Sequence, residues 1–292
     1  MSNPIQLHMN LAAAKLFDTK TKQSMNLSIG KEVEVIPSIV SGENCFEILP
    51  QSWLLDNTVL GNSLYKYATM RSIAEKHGLN IPHLFPDFFK KPTKYPKTDI
   101  KKIFRIGDEN IAQILTIDPE PQVSFYPDPQ TFLQCKESSY NIQEFIKEWL
   151  VDDTPEDSEG IVIHYRLGDL VHNEQGSEGG RVVKMEYFEK AIESIPNYQQ
   201  YNRYITSDSP QDNRVKHIID KYGFELYNSR PEETIKFCSQ FSHKILSLGT
   251  FSWWIGILGN QSNVVHPVVQ EYSIWHGDIF VFDHWNPLSC LS

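Results

Sequence analysis

The second half of the sequence alternates short apolar runs with amphipathic segments, and this alternation constrains the fold more than any other feature. Between residues 161 and 267 the apolar runs are IVIHY, RYIT, FELY, KILSLG and NVVHP. The segments between them carry helical spacing or helix-start residues, as in MEYFEKAIESI and PEETIKFCSQ. Strands that alternate with helices form a parallel sheet covered by helices. The sequence therefore predicts an α/β fold.

The 292 residues allow two compact units, because one domain has about 150 residues. The acidic segment VDDTPEDSEG is typical of a linker. We therefore expect an N-terminal extension of unknown role over residues 1–52, an acceptor-side lobe over residues 53–155 and a nucleotide-sugar-binding lobe over residues 156–292.

Four segments before the linker have readable local patterns. Apolar residues from Leu64 to Ala74 fall on one face at helical spacing, which predicts a helix that opens with a Gly61-Asn62 turn and ends at Gly78. A second helix is predicted from Tyr140 to Leu150, and the VEVIP run near residue 35 is strand-like. Residues 83–104, rich in Pro, Lys and aromatic residues, are interpreted as a loop.

Ligands of parallel sheets bind at the carboxyl ends of the strands, so the loops after IVI, RYIT and KILSLG form the candidate site. The first holds His164, Arg166 and Gly168; an Arg here can bind phosphate at two points, and a Gly lets backbone N–H groups approach. The second holds Asp208, and the third runs from Gly249 into a helix N-terminus, where anions bind. Each loop alone is also compatible with ordinary capping and packing. Their convergence in one crevice predicts a phosphate site.

Composition and charge exclude several partners. The formal net charge of −10 argues against nucleic acid or an anionic membrane as the main partner. The uncharged stretch over residues 245–270 is interrupted by polar residues, whereas a membrane span needs about 20 mostly apolar residues. The N-terminal residues lack the pattern of a signal peptide, and the scattered Cys45, Cys135, Cys238 and Cys290 indicate reduced thiols. We therefore expect a cytoplasmic protein without a membrane span.

Several of these motifs together resemble the alpha-1,2-fucosyltransferase family and, more distantly, the alpha-1,6 and protein O-fucosyltransferases. The segment LGNSLYKYA is similar to the family's GLGNQMFQYA, HYRLGD to its HxRRGD, and YITSD to its FSDD segment. The segment CSQFSHKILSLGTFSWW is similar to the family's block ending in NSSFSWW. The resemblance runs from about residue 53 to residue 268. Leu167 stands where the family has a second Arg, which removes one expected cationic contact.

The resemblance implies a GT-B-like fold with two Rossmann-like lobes and an inverting transfer of L-fucose from GDP-fucose to a glycan hydroxyl. By the same resemblance, Arg166 neutralises the leaving phosphate. Gly61 and Asn62 lie on the acceptor side or at the lobe interface. The implied donor-binding residues are His164, Arg166, Gly168, Asp208, His243, Thr250, Phe251 and Ser252.

Catalysis by this route needs one general base and no cofactor. In the alpha-1,6 relatives a Glu follows the motif's His by about ten positions, which makes Glu174 the candidate base here, with Asp169 as the alternative. A metal is not expected, because the sequence contains no DxD pair. Three other readings stay open: a different GDP- or UDP-sugar donor, a catalytically inactive glycan-binding protein, and a structural protein that merely shares the fold.

Overall fold

The structure is a computed structural model that describes residues 23–26, 32–37, 60–96, 98–128, 130–151, 158–172, 182–268 and 278–289. Only the backbone is described for the first two of these ranges, and the side chains of Asp169 and His172 are not described. The described residues form two sheets, each covered by helices.

The first sheet is mixed and has the order β1-β2-β3-β4. Strand β2 is antiparallel to β1 and β3, whereas β3 and β4 are parallel. Strand β2 lies within residues 1–52, so part of the expected extension belongs to the sheet of the first lobe. The elements are β1 (Gln23–Asn26), β2 (Glu32–Pro37), α1 (Leu60–Lys76), β3 (Lys102–Ile106), α2 (Ile111–Thr116), β4 (Val123–Pro127) and α3 (Lys136–Trp149).

Helix α1 is the central element between the lobes. Every residue from Ser63 to Ala74 is buried, so this helix contacts protein on all its sides, as expected of a helix inside a core. Gly78 ends it with a φ of +65°, a backbone conformation that glycine adopts at low cost. Gly61 and Asn62 lie inside its first turn, so the predicted opening turn is wrong; the helix begins at Leu60.

The second sheet is parallel throughout and has the order β10-β9-β8-β5-β6-β7. The predicted α/β fold is confirmed. The predicted closing strand, β9, is not the edge, because β10 pairs beyond it. The elements are β5 (Ser158–Tyr165), α4 (Gly168–His172), α5 (Met185–Glu193), β6 (Asn202–Ser207), α6 (Asn213–Tyr222), β7 (Glu225–Leu226), α7 (Pro231–Ser239), β8 (Phe241–Ile245), α8 (Thr250–Ile257), β9 (Asn263–Val268) and β10 (Asn286–Ser289).

The strand order of the second sheet fixes where a ligand can enter. Its six strands follow the doubly wound order. Strands β5, β6 and β7 extend the sheet towards one edge, and β8, β9 and β10 extend it from β5 towards the other edge, so the strand order reverses between β5 and β8. At such a reversal, the loops after the two strands lead to opposite faces of the sheet and leave a crevice at the carboxyl edge. The fold therefore places a crevice beyond Tyr165 and Ile245, where β5 and β8 end.

The two lobes share one hydrophobic core. Trp253 and Trp254 of α8 are buried in the same cluster as the α1 side chains. Ile279 lies in this cluster too, and its carbonyl oxygen accepts hydrogen bonds from Trp253 Nε1 (2.8 Å) and Ser139 Oγ of α3 (3.1 Å). The chain therefore returns to the first lobe before it forms β10. In the part of the chain that the structure describes, no helix is both long enough and apolar enough to cross a membrane.

Candidate active site

A cavity of about 340 Å³ opens at the carboxyl edge of the second sheet, at the crevice that the strand order predicts. Two of the three loops proposed from the sequence meet it directly after β5 and β6, and the third meets it at the start of α8. The lining residues are His164, Arg166, Thr206, Ser207, Asp208, Asn228, Ser229, Pro231, Thr234 and Phe251. Hydroxyl, amide, imidazole and guanidinium groups dominate this set. The cavity is suited to a polar, anionic ligand.

Arg166 follows the last residue of β5, and its guanidinium lies against the backbone of Gly249. A Cβ atom on Gly249 would stand 2.7 Å from Arg166 Nη1, so any other residue here would displace the guanidinium. The φ of +97° at Gly249 also favours glycine. Because Gly249 caps the N-terminus of α8, the Arg166 cation and the positive end of the helix dipole lie side by side. That arrangement favours the binding of an anion.

His164 lies beside Arg166 and is almost completely buried. Its Nδ1 forms a hydrogen bond with Ser252 Oγ, and its ring lies 5.0 Å from the ring of Phe251, measured between centroids. Burial and, to a smaller extent, the charge of Arg166 lower the pKa of His164 to about 3. The imidazole is therefore neutral at physiological pH. Ser252 is fully buried behind this ring and does not line the cavity, so it is not placed to bind phosphate or ribose directly.

Asp208 lines the cavity and also holds the loop after β5. Its Oδ1 accepts hydrogen bonds from the backbone N–H groups of Leu167 (2.8 Å) and Gly168 (3.1 Å). These N–H groups were expected to approach a phosphate near Gly168, but in the structure they donate to Asp208. The carboxylate thus fixes the backbone that carries Arg166.

The side chain of Leu167 points away from the cavity. It is fully buried in the second hydrophobic cluster, together with Tyr165 and Val183. From the sequence, Leu167 was expected to remove one cationic contact from the phosphate site. The structure instead places this side chain in the core, and it is not among the residues that line the cavity.

Gly61 and Asn62 lie where α1 meets the N-terminus of α8. Asn62 Oδ1 accepts hydrogen bonds from Thr250 Oγ1 (2.6 Å) and Gln134 Nε2 (3.1 Å). Trp254 Nε1 donates to the carbonyl oxygen of Gly61 at 3.0 Å. Thr250 is buried in this contact and is not among the residues that line the cavity. The contact joins the lobes directly beneath Phe251, which forms part of the cavity wall.

His243 lies away from the cavity, although the resemblance implied a donor-binding role. It stands two residues before the end of β8, beside Ile161 near the start of β5. Its Nδ1 is 2.7 Å from Asn263 Nδ2, and its ring packs against Tyr201, which directly precedes β6. These neighbours belong to the amino ends of their strands, whereas the cavity lies at the carboxyl ends.

The loop after β7 and the start of α7 provide one wall of the cavity that was not predicted from the sequence. Asn228, Ser229, Pro231 and Thr234 line it. Thr234 Oγ1 donates to the carbonyl oxygen of Ser229 at 3.4 Å, which joins the loop to the helix. The rule that ligands bind at strand carboxyl ends could have found this loop, because it follows the predicted strand FELY.

Both candidate bases fall outside what the structure describes. Glu174 lies outside the described residues, and Asp169 is described only by its backbone in α4. Their roles therefore stay predictions. Among the described residues, no three His, Cys, Asp or Glu side chains come together as a metal site would require. Cys135 and Cys238 are free thiols, whereas Cys45 and Cys290 lie outside the described residues.

Comparison with known proteins adds a family to this geometry. Searches of curated proteins and of solved structures each found no significant match. The family model described as glycosyl transferase family 11 matches residues 123–273, which is just over half of the 292 residues. The matched region contains the parallel strands β5 to β9 and every residue that lines the cavity. The resemblance stated from the motifs is thereby confirmed: the chain belongs to glycosyl transferase family 11, the alpha-1,2-fucosyltransferase family, and is a glycosyltransferase.

Proposed function

We propose that the protein transfers L-fucose from GDP-fucose to a hydroxyl group of a glycan, with inversion at the sugar carbon and without a metal or cofactor. The observation that carries this proposal is the position of Arg166. Its guanidinium lies beside the N-terminus of α8 in a polar cavity at the switch point of the parallel sheet. Family membership supplies the reaction class.

The chemistry gives Arg166 a defined task. As the bond between sugar and phosphate breaks, positive charge develops on the sugar and negative charge on the departing GDP. A fixed cation beside the diphosphate stabilises that negative charge where it develops. In metal-dependent transferases Mg²⁺ or Mn²⁺ stabilises this negative charge. We propose that Arg166 and the N-terminus of α8 do it here.

The position of Leu167 bears on the choice between donor sugars. The loss of a second Arg was the reason to keep another GDP- or UDP-sugar as the alternative donor. Because residue 167 faces the core, the substitution removes no charge from the cavity. The substitution at residue 167 is therefore no longer a reason to prefer another GDP- or UDP-sugar as the donor.

Direct binding measurements test the donor and the metal. Calorimetric titration should show that GDP binds more tightly than UDP, and that EDTA changes neither GDP affinity nor transfer from GDP-fucose. Tighter binding of UDP would replace the proposed donor. Activity that disappears with EDTA and returns with Mn²⁺ would refute the metal-free mechanism.

Substitution of Arg166 tests the mechanism. Both Arg166→Ala and Arg166→Lys should lower turnover by about 10²- to 10³-fold, because a Lys ammonium cannot bind the diphosphate at two points. The melting temperature of each variant is the control for folding. A folded Arg166→Ala protein with near wild-type turnover would refute the role of Arg166. Retained glycan binding without any transfer by the wild-type protein would instead favour an inactive glycan-binding protein.

The general base is tested separately. We expect Glu174→Gln to lower turnover by about 10²- to 10⁴-fold while GDP affinity stays near wild type, because a base acts on the acceptor hydroxyl and not on the nucleotide. The matched variant Asp169→Asn should retain most activity. The opposite result would assign the base to Asp169.

A further inference from the structure

The hydroxyl group of Ser252 is buried between the backbone and the cavity-lining histidine. Its exposed fraction is 0%. The backbone N–H of Ser247 donates a hydrogen bond to Ser252 Oγ at 3.1 Å, and the other partner of this oxygen is His164 Nδ1. These two bonds decide where the proton of the hydroxyl lies.

A buried hydroxyl needs an acceptor for its own proton, because an unmade hydrogen bond in the interior is unfavourable. The N–H of Ser247 is a donor and cannot accept that proton. Among the described residues, the remaining partner of Ser252 Oγ is His164 Nδ1. The hydroxyl therefore donates to Nδ1, and Nδ1 carries no proton. Since the low pKa of His164 keeps the ring neutral, its single N–H lies on Nε2.

We propose that Ser252 is a positioning residue that holds His164 in the Nε2–H tautomer, so that the ring presents a hydrogen-bond donor to an anionic oxygen in the cavity. His164 lines the cavity, and its Nδ1 faces Ser252 on the buried side, so Nε2 is the ring nitrogen left to reach a ligand. The anionic oxygen is a phosphate oxygen of the sugar nucleotide, and this part of the inference rests on the proposed function.

The opposite tautomer of His164, with the proton on Nδ1, would be unfavourable for two reasons. If His164 Nδ1–H donated to Ser252, the serine proton would have no acceptor among the described residues. The Nε2 lone pair would then face the oxygens of a diphosphate, and two acceptors repel each other. Phe251 packs on the ring with centroids 5.0 Å apart, which also restricts ring rotation. The serine hydroxyl therefore determines whether His164 attracts or repels the ligand.

Nitrogen NMR of the histidine rings in the full chain tests the tautomer without any ligand. The signals of His164 are assigned by their loss in His164→Gln. In the wild-type protein we expect a protonated Nε2 and an unprotonated Nδ1. In Ser252→Ala this preference should be lost, and in Ser252→Thr, which keeps the hydroxyl, it should return. A proton on Nδ1 in the wild-type protein would overturn the inference, whatever the variants do.

GDP titration measures the consequence. We expect Ser252→Ala to weaken GDP binding by about 2- to 10-fold, since one hydrogen bond contributes about 0.5–1.5 kcal/mol. Ser247→Ala is the matched control, because it removes a neighbouring buried hydroxyl that has no hydrogen-bond partner among the described residues and keeps the N–H. It should leave GDP affinity unchanged. Unchanged affinity and tautomer in Ser252→Ala would refute the positioning role. Absence of GDP binding in the wild-type protein would count against the proposed donor alone, because the tautomer is measured without ligand.

Discussion

Substitution of Gly61 by alanine tests the contact between the lobes. A Cβ atom at this position would stand 2.6 Å from the backbone nitrogen of Phe251 and 2.9 Å from Thr250 Oγ1. Ordinary van der Waals contact begins near 3.4 Å, so α1 and α8 would have to separate by about 0.8 Å. The obstacle is backbone and cannot rotate away. The shift would also stretch the 2.6 Å hydrogen bond between Thr250 and Asn62.

The expected cost follows from two opposing effects. Overpacking of this kind costs about 1–3 kcal/mol, and loss of a buried hydrogen bond adds about 1 kcal/mol. Replacing a helical glycine by alanine recovers about 1 kcal/mol of helix propensity. We therefore expect Gly61→Ala to lower the free energy of unfolding by about 1–3 kcal/mol. In a chain of this size that lowers the melting temperature by roughly 2–10 °C.

Thermal melting and GDP titration measure the two consequences together. Ser63→Ala, two residues along the same helix, is the matched control and should change the melting temperature little, because the smaller alanine side chain fits the same buried place without a clash. GDP affinity should fall in Gly61→Ala, because a displaced α8 moves Phe251 in the cavity wall and Ser252 behind His164. A Gly61→Ala protein as stable as wild type, with unchanged GDP affinity, would refute the tight contact.

Three further predictions concern the second lobe and the pH dependence of stability. Leu167→Arg, which restores the family's HxRRGD motif, should not improve GDP binding. Because it buries an unpaired charge, it should lower the free energy of unfolding by about 3–5 kcal/mol, as measured by denaturant unfolding. Asp208→Ala should cost about 1–3 kcal/mol and Asp208→Asn less, since the amide oxygen can still accept from the loop N–H groups; equal losses would contradict this role. Burial lowers the pKa of His77 from 6.5 to about 4. As the pH falls, the unfolded chain therefore binds a proton at His77 before the folded protein does, and the free energy of unfolding should decrease between pH 6.5 and pH 4. His77→Phe should flatten that decrease in unfolding measured at pH 7 and pH 5, and an unchanged slope would exclude His77 as its source.

The fold of the second lobe could be predicted because its local patterns agree with its packing. Each strand from β5 to β9 is a short apolar run or is followed by a helix with a clear start. Pro231 begins α7, and the side chain of Asp212 caps α6. The segment NPLS of β10 could not be recognised, because it is short, polar and contains proline. Its place depends on pairing with β9, which no local pattern encodes.

The first lobe was harder to predict for a related reason. Strands β3 and β4 and helix α2 were missed, and β3 overlaps the segment interpreted as a loop. These elements have five or six residues each, so their periodicity is too short to identify them.

The candidate site was predicted where it depends on strand ends and missed where it depends on side-chain direction. Arg166 and His164 follow from their position at the end of β5. Leu167 faces the core although it adjoins Arg166, and a motif does not state on which side of the backbone a residue points. Ser252 was assigned to the ligand, but the first turn of α8 directs it behind His164. Such directions depend on the packing of α8 against its neighbours.

The return of the chain to the first lobe at residues 278–285 has a consequence for folding during synthesis. Domains usually fold in the order in which they leave the ribosome. Here Ile279, Phe282 and Trp285 complete the cluster that holds α1 and α3, so the first lobe lacks part of its core until these three residues are made. We expect a nascent chain that stops before residue 278 to leave Trp253 without its contacts to Ile279 and Phe282 and to depend on chaperones. The core of the first lobe therefore closes only after residue 285 has left the ribosome.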